Sequence, residues 1–396
     1  QQQACIRGLV EDSVKNRLVA DVPLGAFLSG GIDSSVVVAM ASQHLDNLNT
    51  FSIGFQKHPY FDETRYAKLV ADRFKTKHTI FDLSTRDLYR HLEDVWEHMD
   101  EPFADSSAIP TYILSKYTRK SMTVALSGDG ADELFGGYMK HLALHRSIKG
   151  SLANTCIKGL PYITKWFPKS RNSAFSNKVR QLERYARGLK LDPKQRYWYW
   201  AGIDSEQQAL AALNSEVLTN LNGAAVQERR QNLLKSLGPT PGLNDFLQTD
   251  LELVLPSDML NKVDWMSMAH GLEVRVPFLD HHLVNYVVGL GPETKVSGGM
   301  RKRILQDAFK EILPKELYNR PKKGFEVPLL DWLRNEMHEE IENDLLSERK
   351  ILDQGLFDYA HVSDLKQQLH SNNPHDSAAR IYGLLVFQNW WSKYLS

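Results

Sequence analysis

The 396-residue chain has only two cysteines, Cys5 and Cys156, and no Cys-x-x-Cys pair. That excludes a disulfide-stapled fold and a cysteine-built zinc or redox centre, and makes a reducing cytoplasm the expected location. Long apolar runs are missing as well. Val36 to Ala41 and Leu384 to Phe387 are among the longest, far short of the ~20 residues a membrane-spanning helix needs, so no membrane is expected as a partner. Neither sign of charge is in excess. Lys plus Arg and Asp plus Glu each number 48, leaving no net field to collect a polyanion, so nucleic acid is not expected either. There is no internal repeat and no low-complexity tract.

What is present is globular usage, with 42% hydrophobic and 24% charged residues, enough to bury a core without disulfides or a structural metal. The opening QQQACIRGLVEDSVKNRL has the spacing of an amphipathic helix, without the apolar stretch or cleavage pattern of a signal peptide. It begins on Gln1 rather than methionine, which fits a fragment of a longer protein.

Up to about Gly150, short β-branched or apolar runs alternate with helix-length amphipathic segments, the pattern of a parallel sheet with flanking helices. An α/β fold is predicted, with strands at Gly25–Leu28, Thr50–Phe55, His78–Phe81 and Met122–Leu126. Helices are predicted at Asp33–His44, Asp62–Phe74, Arg86–His98, Ser107–Lys120 and Ala131–His145. Beyond Gly150 strand signals fade. Lys178–Arg187, Asn244–Val254 and Arg301–Ile312 read as helices, so the C-terminal half is expected to be mostly helical. The Gly- and Pro-rich SLGPTPGLN, Ser236–Asn244, is the strongest internal punctuation. The expected organisation is an α/β core over residues 1–150, a helical insertion over 151–245 and a mostly helical part over 246–396 that completes the site.

GAFLSGGIDSSVVVAM, Gly25 to Met40, is a short apolar strand, a Ser-Gly-Gly turn and an Asp-Ser-Ser helix start. Gly30 and Gly31 let the backbone turn sharply and approach a ligand. The amides of the first helical turn and the positive end of the helix dipole face the same point, and Ser29, Ser34 and Ser35 add hydroxyl donors. This describes an anion site, although a plain tight turn with Asp33 as an N-terminal charge has the same residues. The spacing and lysine of the Walker A loop are absent, as is GxGxxG.

The segment resembles the PP-loop ATP pyrophosphatases, whose SGGxDSS signature binds the β and γ phosphates while attack falls on the α phosphorus. The resemblance implies that Asp33 helps hold magnesium pyrophosphate. It also implies that the backbone at Leu28, and at Ile53 in TFSIGF, contacts the adenine of ATP, within an adenine nucleotide alpha hydrolase-like fold.

MTVALSGDGADELFGGY, Met122 to Tyr138, repeats the design with carboxylates in place of hydroxyls. Acidic groups beside a phosphate site repel ATP unless a cation lies between, so Asp129 and Asp132 are candidate partners of magnesium or of a substrate ammonium, or proton acceptors. Asp132 and Glu133 also suit a helix N-terminus on dipole grounds alone. This second motif resembles the asparagine synthetase family, which carries a Ser-Gly-acid-Gly-x-Asp-Glu-x-Phe-Gly-Gly-Tyr pattern. By that resemblance Ser127 and Gly128 contact ATP, Asp132 supports substrate or metal, and Asp129 is tied to the β-aspartyl adenylate, one carbon shorter than the Glu of some members.

Other stretches extend the likeness. In MDEPFADSSAIPTY, Met99 to Tyr112, Asp100, Glu101 and Asp105 are candidates for receiving the amino acid, while Asp105 and Ser106 equally suit capping of the next helix. Leu255 to Asp280 follows the family pattern with Trp265 where many members have Arg. Lys302, in GGMRKRILQDAF, falls where the family has a phosphate-contacting lysine, although between Arg301 and Arg303 it also fits a solvated helix face. NRPKKGFEVPL, Asn319 to Leu329, suggests a loop at Gly324 that closes near the site.

The resemblance implies ATP-dependent amidation of aspartate with Mg2+, releasing AMP and pyrophosphate. Asp33, Asp129 and Lys302 would be catalytic, and Asp33 and Asp132 the metal ligands. Ammonia would come from a glutaminase domain, expected to be missing from this chain, and a homodimer is a further expectation. Amidation of another acid, or ATP binding without turnover, stays open.

Overall fold

A computed structural model describes residues 1–55, 58–150, 152–159, 164, 167–170, 173–318 and 327–395. The Gly324 loop lies outside the described residues. The chain divides into two compact units. The first comprises Gln1–His91, Ser107–His145 and Gly242–Val327, and the second Leu92–Ser106, Arg146–Pro241 and Pro328–Ser396. Residues 328–396 thus fall with 146–241, not with 242–327.

The first unit holds the sheet, with strands β1 (Leu24–Phe27), β2 (Asn49–Gly54), β3 (Lys77–Asp82), β4 (Val124–Leu126) and β5 (Glu273–Arg275). Its order is β3-β2-β1-β4-β5 and every pairing is parallel, with Ala26 beside Thr50 on one side and Leu126 on the other. The four predicted strands are present within two residues of their expected ends. β5 has no predicted counterpart. Three residues at a sheet edge are too short to show a period of two, and the second half is therefore not free of strand.

Helices pack on this sheet because their apolar residues leave no alternative. Along α1 (Gln2–Arg17), Ile6, Val10 and Val14 recur every four residues and are fully buried; at about 1.5–3 kcal/mol per side chain this stripe anchors the N-terminal helix. α2 (Ile32–Ala41) is apolar nearly all round and buries every residue from Ser34 to Ala41. α3 (Thr64–Phe74) and α4 (Ala108–Thr118) match their predicted spans closely.

Two predicted helices are broken. Arg86–His98 becomes Thr85–Arg90 and Leu92–Glu97, and Ala131–His145 becomes α5 (Ala131–Phe135) followed by Met139–Lys149. In the second case Gly136, at φ 75°, takes the left-handed conformation that ends a helix. Where one helix is predicted over Asn244–Val254, an α segment (Leu243–Thr249) runs into a π-helix (Asp250–Leu260) and then α6 (Asn261–Met268). The wider π spacing has room for Pro256, which would break an α ladder. α7 (His281–Val288) and α8 (Arg303–Phe309) complete the core, where Phe135 meets Phe278 edge-on.

The second unit is helical among its described residues, apart from an isolated bridge between Leu213 and Phe357. Trp332, Leu333, Ile351 and Tyr382 are among its fully buried residues. No described helix is long and apolar enough to cross a membrane.

Candidate active site

From β1 the chain passes outward to β2 and β3, then returns to place β4 on the opposite flank of β1. In such a sheet the reversal opens a crevice at the carboxyl ends of the two central strands, where open α/β sheets bind ligands. The Ser-Gly-Gly and Ser-Gly-Asp-Gly turns leave those two ends. They are in contact: a Cβ at Gly128 would lie 2.8 Å from the amide nitrogen of Ser34 and 3.0 Å from the carbonyl carbon of Asp33. Glycine at 128 lets one turn lie against the backbone of the other.

The first turn is built from its own hydroxyls. Ser29 and Ser34 share a hydrogen bond of 3.1 Å, the Ser29 amide donates to Ser34 Oγ, and the Gly31 amide donates to Ser29 Oγ. Gly30 has φ 75°, and a Cβ there would sit 2.5 Å from the Ala67 amide nitrogen of α3. The N-cap of α2 is Gly31, with no side-chain cap, so the first-turn amides are left to an outside acceptor. Leu28 is fully buried and its amide donates to Phe51 at 2.8 Å; Ile53 is buried on β2. Ser35 is wholly buried within α2, with its hydroxyl lacking a hydrogen-bond partner.

The second turn carries charge. Ser127 donates to Asp129. Burial pushes the Asp129 carboxyl up, an effect reinforced by Asp132 and Asp33 and opposed by the Ser127 hydrogen bond and the Lys262 ammonium of α6. Glu133, also buried, rises to about 7 despite the 2.5 Å hydrogen bond it accepts from the Tyr138 hydroxyl.

Lys302 joins the two turns. Its Nζ lies 2.5 Å from Asp33 Oδ2 and 2.6 Å from Asp132 Oδ1, and the residue is 4% exposed, so the solvated-face alternative does not hold. Burial alone would lower its pKa, but the two carboxylates more than offset this and hold the ammonium above its ordinary value. The backbone at Lys302 is left-handed, φ 50°, which places the residue as N-cap of α8. Space for its chain exists because position 137 is glycine, where a Cβ would lie 1.9 Å from Lys302 Cε. Arg301 donates to the Gly137 carbonyl at 2.8 Å, fixing the same stretch.

Behind this triad stands a group that sequence reasoning missed. Asp250, the first residue of the π-helix and fully buried, receives Lys140 at 2.8 Å and His141 Nε2 at 2.6 Å. Burial works against its charge, yet Lys140 and His141 hold it at about 2. His141 Nδ1 accepts the Tyr138 amide, so the ring is neutral and donates through Nε2. Burial lowers its pKa in the same direction. The adjacent Gly-Gly-Tyr was a visible signal for this corner; nothing marked Asp250.

Asp33, Asp129, Asp132, Lys302, Ser29, Gly30, Gly31, Ser34, Ser127 and Gly128 are thus brought together. Asp100, Glu101 and Asp105 belong to the second unit and are not among the residues the first unit assembles. The Asp100 carbonyl accepts Trp390 Nε1 there. The helix that follows has Ser107 at its N-cap position, and the Ser107 side chain makes no cap hydrogen bond. Trp265 is half-buried on α6.

A magnesium ion fits this donor set. Asp33 Oδ1 is buried with no hydrogen-bond partner, Asp132 meets Asp33 on one nitrogen, and Mg2+ commonly takes one or two carboxylates beside substrate phosphates.

Comparisons with known proteins agree with the geometry. A family profile described as asparagine synthase matches residues 5–392. Asparagine synthetase [glutamine-hydrolyzing] 1 of Bacillus subtilis is 32% identical over 392 residues, covering 98% of this chain and 58% of that protein. A putative asparagine synthetase [glutamine-hydrolyzing] of Mycobacterium tuberculosis is 30% identical over 398 residues, 97% of this chain and 57% of its own length. Amidase chry2 of Gibberella zeae is 23% identical over 393 residues, 91% of this chain and 57% of that protein. The chain thus spans a little over half the length of these curated relatives. With two turns, a lysine between them and a match over nearly every residue, the chain belongs to the asparagine synthase family.

Proposed function

We propose that the chain carries out ATP-dependent amidation of aspartate to asparagine through a β-aspartyl-AMP intermediate. The observation that supports this most is the single buried ammonium of Lys302 held by Asp33 of one turn and Asp132 of the other. A carboxylate resists ammonia because its oxide is a poor leaving group. In the proposed reaction a side-chain carboxylate oxygen of aspartate attacks the α phosphorus and pyrophosphate leaves. Ammonia then bonds to the acyl carbon, the bond to the AMP oxygen breaks, and a proton passes to a nearby carboxylate.

The amides at the start of α2 and the Ser29–Ser35 turn would hold the departing pyrophosphate. The backbone at Leu28 and Ile53 would meet adenine, and Ser127 with Gly128 the rest of ATP. Asp33 and Asp132 would hold a magnesium ion, which when bound would supply positive charge against the phosphates. Lys302 would follow the charge developing on pyrophosphate, an electrostatic role worth about 10²–10³-fold for one well-placed donor. Asp129, pushed up by burial, suits acceptance of the proton from the incoming amine. Asp100, Glu101 and Asp105 are the proposed amino-acid contacts. A glutaminase partner domain is the proposed ammonia source, a homodimer the proposed assembly and the cytoplasm the proposed location.

The chain incubated with ATP, Mg2+, ammonium and aspartate should yield asparagine, AMP and pyrophosphate by mass spectrometry. ADP and phosphate in their place would sink the adenylation route. The amidase among the relatives favours one second reading, amidation of a different acid. Turnover of an alternative carboxylic acid but not of aspartate would establish it.

A further inference from the structure

We propose that His338, Glu342 and His370 form a binding site for a borderline divalent transition-metal ion, zinc or nickel in class, in the second unit. One ligand atom from each lies within 4.8 Å of the others, the one such group of three among the described residues. His338 and Glu342 open and close a single helical turn, His338–Glu342, and a spacing of four sets both on one face. His370 is the last residue of the helix Tyr359–His370.

The backbones that carry these donors are held from below. Met337, Ile341 and Leu369 are fully buried beside them. Arg334 donates to the carbonyls of Leu369 and Ser371 at 2.8 and 2.7 Å, which brackets His370 on both sides. The two rings are 5.9 Å apart and nearly perpendicular, so neither covers the other and their nitrogens can turn to one point. Both histidines are exposed, which leaves a metal a direct route in.

Glu342 gives one oxygen, Oε2, to the buried Lys366 ammonium at 3.1 Å. That contact orients the carboxylate and leaves Oε1 for the ion, as outer partners of metal ligands do. Two imidazoles and one carboxylate suit zinc, nickel or copper better than magnesium or calcium, which prefer oxygen alone. Three protein ligands leave coordination positions to water, so the ion is exchangeable, and the nearby lysine charge makes binding weaker than in a closed structural site.

The three ligands belong to the second unit, whereas Asp33 and Asp132, proposed for the chemistry, belong to the first. Zinc titrated calorimetrically into the chelator-treated full chain should saturate at one equivalent. His338→Ala and His370→Ala should each weaken binding at least ~10-fold, Glu342→Gln less, and His281→Ala, at an exposed histidine of the first unit, not at all. Both histidines being exposed, the variants should keep the wild-type circular dichroism. Failure of the wild type to bind, binding that survives both histidine changes, or loss of binding in His281→Ala would each overturn the assignment.

Discussion

The two turns at the centre of the first unit share a backbone design and differ in chemistry. Both leave a central parallel strand, use a glycine at φ 75° or 86°, and start a helix. The first presents hydroxyls and open amides ahead of the ten-residue α2, whereas the second presents carboxylates ahead of the five-residue α5. An array of donors suits an anion; an array of carboxylates suits it only with cations between. Lys302 is that cation here, and its two contacts show how one charge reconciles the turns.

The largest expected effect comes from removing the link. Lys302→Met should lower AMP formation by about 10³-fold, because Asp33 and Asp132 then face each other without their shared charge. Near-normal turnover would mean that the turns act separately. Asp33→Asn keeps the lysine and deletes one arm; a loss of about a few hundredfold in kcat/KM is expected from the same assay.

Glu133 tests the second turn through stability. Its folded pKa of about 7 lies above the ordinary 4.5, so the folded state binds the extra proton. Stability from this group is therefore full below pH 4.5, falls as pH rises through 7, and is level above, a total of about 3 kcal/mol. The melting temperature of Glu133→Gln relative to wild type should rise across pH 5–8; a flat difference would remove the claim. The smallest contrast lies in the glycines. Gly30→Ala drives a methyl into α3 backbone, Gly130→Ala into the end of the Leu279 side chain, which can turn away. Denaturant unfolding should show Gly30→Ala to be worse by about 1–2 kcal/mol, and an equal cost would say that the second turn is as rigid as the first.

Much of this site was legible residue by residue, since Gly-Gly, Asp33, Asp132 and Lys302 each sit in a local pattern with its own physical reason. Their meeting was not. Lys302 follows Asp33 by 269 positions, and no periodicity spans that distance. The predicted strands came from short β-branched or apolar runs, a signal β5 is too short to give. The π-helix escaped for a related cause: Pro256 reads as a stop, and only the buried Asp250 with its Lys140 and His141 partners shows the chain continuing through it. Asp129 differs again, because its raised pKa depends on burial that composition does not reveal.

The partition of the chain bears on how it is made. Three separate stretches build the first unit, and its edge strand β5 is synthesised roughly 150 residues after β4, a wait of about 7–30 s at ribosomal speed. Until residue 327 has emerged, the nascent polypeptide can finish neither unit. During that interval the flank of β4 is unpaired, which makes the growing chain a natural client for chaperones and a poor subject for C-terminal truncation.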